Sequence, residues 1–191
     1  MPSLLSPRFE DALIYATRLH ATQTRKGSGV PYISHLLAVA GLVLEAGGGE
    51  DHAIAALLHD AAEDQGGLAT LAAIRARFGD AVADIVAACS DTFEEPKPPW
   101  HARKRAYLEH LRDAPPAVRL VSCADKLHNA RAIAADYRRH GDALWQRFNA
   151  GPDDILWYYR ELSAIFNAQG PEHLAAELAL VVAELHATTT R

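Results

Sequence analysis

The sequence predicts an all-α fold, a single domain of about nine or ten helices, on three observations. Apolar residues recur at three- and four-residue spacing along most of the chain, the period of a helix with a buried face. No stretch carries the strict apolar-polar alternation of a half-buried strand. Gly and Pro fall mainly between the periodic stretches, where they mark helix ends. At 191 residues and 49% hydrophobic content the chain can bury one substantial core.

Ser6-Pro7 is a cap and first-turn pair, and Phe9, Leu13, Ala16 and Leu19 carry the first helix to about Thr22. The segment TRKGSGVPYISH holds two glycines, a proline and the bases Arg25 and Lys26, so it is a loop with both bases exposed or facing an anion. Ser34 is suited to cap HLLAVAGLVLEAG, with Gly47 ending it and His35 in its first turn. Ala53 to Asp64, AIAALLHDAAED, lies between glycine clusters and is apolar nearly all round, which predicts one buried helix. LATLAAIRARFG and DAVADIVAACSD follow as two amphipathic scaffold helices that meet at Gly79-Asp80.

DTFEEPKPP, with three prolines and three acids, predicts a loop that carries Lys97. Trp100 opens a basic helix stopped by Pro115-Pro116, with Arg103, Lys104 and Arg105 expected on its solvated face. AVRLVSCADKLHNARAIAADYRRHG is a second buried helix with an acid, Asp125, in an apolar run. A short Trp- and Phe-bearing segment, a helix from Asp153 or Asp154, and a last helix from Pro171 to about His186 complete the packing.

The formal net charge of −5 excludes a general nucleic-acid binder but leaves room for a small anion in a local basic pocket. No apolar run approaches the ~20 residues a bilayer requires, and the N-terminus lacks a signal-peptide pattern; no membrane partner and a cytoplasmic location are expected. Cys89 and Cys123 have no metal or redox spacing and read as buried thiols.

Four ligand-capable groups sit within apolar helices: His35, His59, Asp60 and Asp125. A buried ionised carboxylate needs a partner or a cation. On a helix Glu63 lies one turn beyond His59, Asp64 one turn beyond Asp60, and Asn129 one turn beyond Asp125. The order H…HD…D, with the blocks RKGSGVPYISH, ALLHDAAED and CADKLHNAR, resembles the HD-domain metal-dependent phosphohydrolases, and within them the RelA/SpoT-type alarmone hydrolases. The resemblance covers roughly Arg8 to Arg160, and no synthetase domain follows in the sequence, so a small stand-alone hydrolase, one HD domain over residues 1–191, is expected.

The resemblance implies that His35, His59, Asp60 and Asp125 ligate one divalent metal, usually manganese in this family. Two imidazoles and two carboxylates suit manganese or iron and leave positions open on an octahedral ion. It further implies Glu63 and Asp64 as the catalytic pair that positions or deprotonates water, and Arg25, Lys26 and Asn129 as substrate contacts. Lys97 is placed to reach a pyrophosphate, Lys126 and His128 to point off that face in supporting roles, and Arg131 and Arg139 to face water.

Two departures from the family touch base and sugar recognition: CSDTFEEPKPPW replaces an acidic-valine-threonine-lysine stretch, and Ala132 stands seven residues after Asp125 in place of a hydroxyl residue. The implied reaction is hydrolysis of the 3′-pyrophosphate of guanosine tetra- or pentaphosphate, with modest discrimination between guanine and adenine. Alternatives are a 3′-pyrophosphorylated adenosine nucleotide, the 2′-phosphate of NADPH, a 5′-nucleotidase, and a nucleotide sensor without turnover.

Overall fold

The computed structural model describes residues 4–94 and 96–189. Among them are ten α-helices and no strand: α1 (Pro7–Leu19), α2 (Ile33–Glu45), α3 (Glu50–Leu58), α4 (Ala61–Asp64), α5 (Gly67–Phe78), α6 (Asp80–Cys89), α7 (Trp100–Asp113), α8 (Pro116–His140), α9 (Pro152–Gln169) and α10 (Glu172–Thr189). A 3-10 helix, Gly141–Arg147, joins α8 to α9. Helix α1 begins where the sequence predicts, with the Ser6 hydroxyl accepting from the Arg8 amide at 3.2 Å.

Helices α2, α3 and α8 pack on one another at the middle of the bundle. Ala53 through Leu58 are all fully buried, as an all-round apolar helix requires. Burying a side chain such as Leu57 contributes roughly 1.5–3 kcal/mol. Helices α1 and α6 flank α3, α5 covers α6 and α4, and α10 lies against α8 and α9. None of these helices is long and apolar enough to cross a membrane.

Three local expectations are corrected. The segment Ala53 to Asp64 is two helices: α3 stops at Leu58, and Asp60 becomes the N-cap of the single turn α4. The His59 imidazole donates from Nδ1 to the Ala56 carbonyl at 2.8 Å, competing with the helical ladder at the break. Second, Ser34 is not the cap of α2. Tyr32 already has helical angles, and the first amides, Ser34 and His35, bond to the carbonyls of Pro31 and Tyr32 at 3.0 and 2.9 Å. Third, Arg103 and Lys104 are not a solvated face: both turn inward onto Asp91.

The basic loop closes on itself through a bridge between Thr24 and Pro31 and a 2.8 Å bond from the Arg25 amide to the Val30 carbonyl. Gly27 makes the turn with φ +80°, a conformation that costs other residues strain.

Candidate active site

The α3–α4 break has a chemical consequence, because it sets His59 and Asp60 against His35 of α2 and Asp125 of α8. His59 Nε2 lies 3.0 Å from Asp60 Oδ2 and 3.6 Å from Asp125 Oδ1. His35 Nε2 lies 3.2 Å from Asp125 Oδ1 and 3.6 Å from Asp60 Oδ2. All four predicted ligands therefore meet at one point, although they span 90 positions of sequence from His35 to Asp125. Ligand atoms of His35, His59 and Asp125 lie within 4.8 Å of one another, all buried.

The donor set fits a divalent cation. His35 Nε2 and His59 Nε2 are buried and face the Asp60 and Asp125 oxygens without forming a well-aligned hydrogen bond, an uncommon state for a polar atom away from water. The Nδ1 atoms are engaged elsewhere: His59 on the Ala56 carbonyl, His35 on Nδ1 of His128 at 2.7 Å. Such engagement fixes a ligating imidazole's tautomer and orientation. Burial alone would raise Asp60 and Asp125, yet His59 for the first and Lys126 for the second, with the other imidazole contacts, hold both carboxyls well below the carboxylate range. Burial likewise opposes a charge on His59, but Asp60 and Asp125 push it well above the usual histidine value. The centre thus favours positive charge between its two nitrogens and two carboxylates, and a divalent ion supplies that charge in place of a proton.

Supporting contacts surround the four. Tyr32 donates its hydroxyl to Asp60 Oδ2 at 2.6 Å. Asn129 Nδ2 donates to Asp125 Oδ1 at 2.6 Å and Lys126 Nζ to Asp125 Oδ2 at 2.7 Å. Lys126 and His128 therefore do not point off the site, as helical spacing suggested: one holds the Asp125 carboxylate, the other the His35 ring. Burial lowers His128 to about 4, so its ring is neutral and is able to accept a hydrogen bond from His35 Nδ1–H when His35 ligates through Nε2.

Glu63 and Asp64 leave α4 at the edge of the same centre. Glu63 accepts from the Asp91 amide through Oε2 at 2.9 Å and from Lys97 through Oε1 at 3.1 Å. Asp64 accepts from Gln23 Nε2 at 2.8 Å. Burial, followed by the charge of Asp60, raises the Asp64 carboxyl above its ordinary value. Both acids share with Asp60 and Asp125 a polar depression of about 230 Å³.

A second, larger cavity of about 570 Å³ adjoins it, with Arg25, Tyr32, Lys104, Lys126 and Asn129 in the walls of both. Arg25 Nη2 donates to Asn129 Oδ1 at 2.7 Å, joining the basic loop to α8. Lys26 reaches Asn149 at 3.2 Å. Lys97 is placed on Glu63. Arg131 faces outward onto Glu177, whereas Arg139 lines the larger cavity.

Sequence reasoning missed Tyr32, Gln23, Asp91 and Lys104. Tyr32 sits three residues before His35, a helical spacing that could have marked it. Asp91 signals nothing in sequence, because its role comes from Arg103 and Lys104 twelve and thirteen residues on. Burial lowers Lys104, and its ammonium lies 5.0 Å from the Tyr158 ring centre.

A protein-family model described as HD domain matches residues 12–156. The guanosine-3′,5′-bis(diphosphate) 3′-pyrophosphohydrolase MESH1 of Xenopus tropicalis is 39% identical over 126 residues, 64% of this chain and 68% of its own length. A probable guanosine-3′,5′-bis(diphosphate) 3′-pyrophosphohydrolase of Synechocystis is 37% identical over 129 residues, 65% of this chain but 16% of that much longer protein. Among solved structures, a metazoan ortholog of SpoT that hydrolyses ppGpp superposes with a TM-score of 0.73 at 24% identity, covering 97% of both chains, a likeness of fold.

Proposed function

Because the chain belongs to the HD-domain family, whose members hold a divalent metal, we propose that it hydrolyses the 3′-pyrophosphate of guanosine tetra- and pentaphosphate, giving GDP or GTP and pyrophosphate. The observation that carries this reading is the meeting of His35, His59, Asp60 and Asp125 beside the two acids Glu63 and Asp64 and a basic cavity. The relatives named for this reaction support the substrate class. Residues 1–191 act as one domain in this reading, since α9 and α10 pack on α8, which carries Asp125.

In the proposed site His35, His59, Asp60 and Asp125 hold the ion, and their mixed nitrogen and oxygen donors suit manganese. When bound, a divalent ion there lowers the pKa of water and offsets charge on the phosphoryl group. Asp64, with its raised pKa, is suited to accept the proton that water loses as it attacks phosphorus. Glu63 orients that water, its own carboxylate held by the Asp91 amide and Lys97. Arg25 and Lys26 neutralise the diphosphate, with Arg25 aligned by Asn129. Tyr32 and Lys126 keep the two aspartates fixed.

The test is to incubate the protein and manganese with guanosine 3′,5′-bis(diphosphate), adenosine analogues, NADPH and nucleoside 5′-monophosphates, and to resolve products by ion-exchange chromatography. Pyrophosphate release from the 3′-diphosphorylated nucleotide is expected, with kcat/KM falling about 100-fold or more in Arg25→Ala. Release of orthophosphate alone from 5′-monophosphates, unaffected by Arg25→Ala, would reject the reading in favour of a nucleotidase.

A further inference from the structure

Along one face of α8, Asn129, Ala132, Ile133, Asp136 and Arg139 recur at helical spacing and line the larger cavity. The cavity's walls are basic and aromatic, with Arg25, Lys104 and Lys126 at the end beside the acids. Asp136 is the single carboxylate among the described lining residues. An acid in a cavity built for an anion weakens phosphate binding, so it needs a reason.

Part of the reason is Arg147, which donates from Nη1 to Asp136 Oδ2 at 3.2 Å. Arg147 is itself pressed against the basic loop: a Cβ on Gly27 would fall 2.5 Å from Arg147 Cδ. Asp136 is thereby held in place, about a quarter exposed, while its Oδ1 has no hydrogen-bond partner among the described residues. Eleven residues separate Asp125 from Asp136, about 16 Å along a helix at its usual rise. A nucleotide whose phosphates lay at the Arg25, Lys104 and Lys126 end would extend its base along α8 towards Asp136. Ala132, between the two, offers no hydrogen bond.

We propose that Asp136 reads the nucleobase and selects guanine. The proposal rests on the cavity holding a nucleotide, as set out above. A carboxylate accepts only. Guanine presents two adjacent donors, N1–H and the 2-amino group, to such an acceptor, whereas adenine sets an acceptor at N1 that repels it. Hypoxanthine keeps the N1–H and lacks the amino group. The recognition lost at Ala132 is restored one turn later by a charged acceptor, giving stronger discrimination than the sequence suggested.

The experiment measures kcat/KM for guanosine, inosine and adenosine 3′,5′-bis(diphosphates), and Kd for GDP, IDP and ADP by calorimetry, in the manganese-loaded wild type, Asp136→Asn and Asp136→Ala. The wild type should prefer guanine to adenine by about ten- to a hundred-fold, with hypoxanthine between. In both variants that ratio should collapse towards one. An unchanged ratio, or an equal loss on all three bases, would leave Asp136 as merely the anchor of Arg147 and overturn the proposal. Guanine-biased binding lost in the variants, without pyrophosphate release, would reject the hydrolase reading while upholding the role of Asp136. Turnover of all three bases at equal rates would do the reverse.

Discussion

His35 and His128, from α2 and α8, meet through their Nδ1 atoms at 2.7 Å. His128 is held neutral by burial, so it can accept a hydrogen bond from His35 Nδ1–H, the tautomer that leaves His35 Nε2 able to ligate a cation beside Asp125 and Asp60. His128→Ala should therefore lower metal affinity about 10- to 100-fold with little change in helicity. Titration of the metal-free protein with manganese, followed by calorimetry, reads this. Unchanged affinity would mean that packing alone orients His35.

Glu63→Gln and Asp64→Asn should keep the metal and lose turnover, by about 100-fold or more in kcat, because both carboxylates contact Gln23, Lys97 or the Asp91 amide and not the imidazoles. Single-turnover rates measured beside metal content separate the two effects. Loss of metal in either variant would make that residue a ligand.

Asp91 joins stability to the site. Its side chain is nearly buried between Arg103 and Lys104, and its amide holds Glu63. Asp91→Ala should cost roughly 3 kcal/mol, the scale for stranding one partner of a buried pair, seen as a lower Tm, with kcat falling as Glu63 loses its hold. Wild-type stability and rate together would show that the loop does not position Glu63.

Gly27 tests the fit of the basic loop. Gly27→Ala adds a Cβ at φ +80° and into Arg147, so KM should rise several-fold and thermal stability fall by about 1–2 kcal/mol. Calorimetry and steady-state kinetics measure both; an unaltered KM would detach the loop from substrate binding.

The helical fold was legible in sequence from apolar periodicity, which also makes His35, His59, Asp60 and Asp125 stand out as polar groups within apolar runs; that they belong together came from the family resemblance of the three blocks that carry them. The break at His59-Asp60 was not legible, since Ala, Leu and acids continue the helical pattern through it and only the imidazole bond to Ala56 betrays the turn. Lys104 was read as solvated because charge in a helix of mean basic character normally is, and its partner Asp91 lies in a loop whose path local sequence does not determine. Asp136 escaped notice for a related reason: one acid on a mixed helix face gains meaning only when Arg147 and the cavity are in view.

If His35, His59, Asp60 and Asp125 form one divalent metal site, metal content per chain must depend on all four. Wild type and Asp125→Asn, loaded with manganese, dialysed and analysed by elemental mass spectrometry, should give about one ion per chain and much less than one, respectively, since the variant removes the charge contributed by α8. Full manganese occupancy in Asp125→Asn would contradict the assignment.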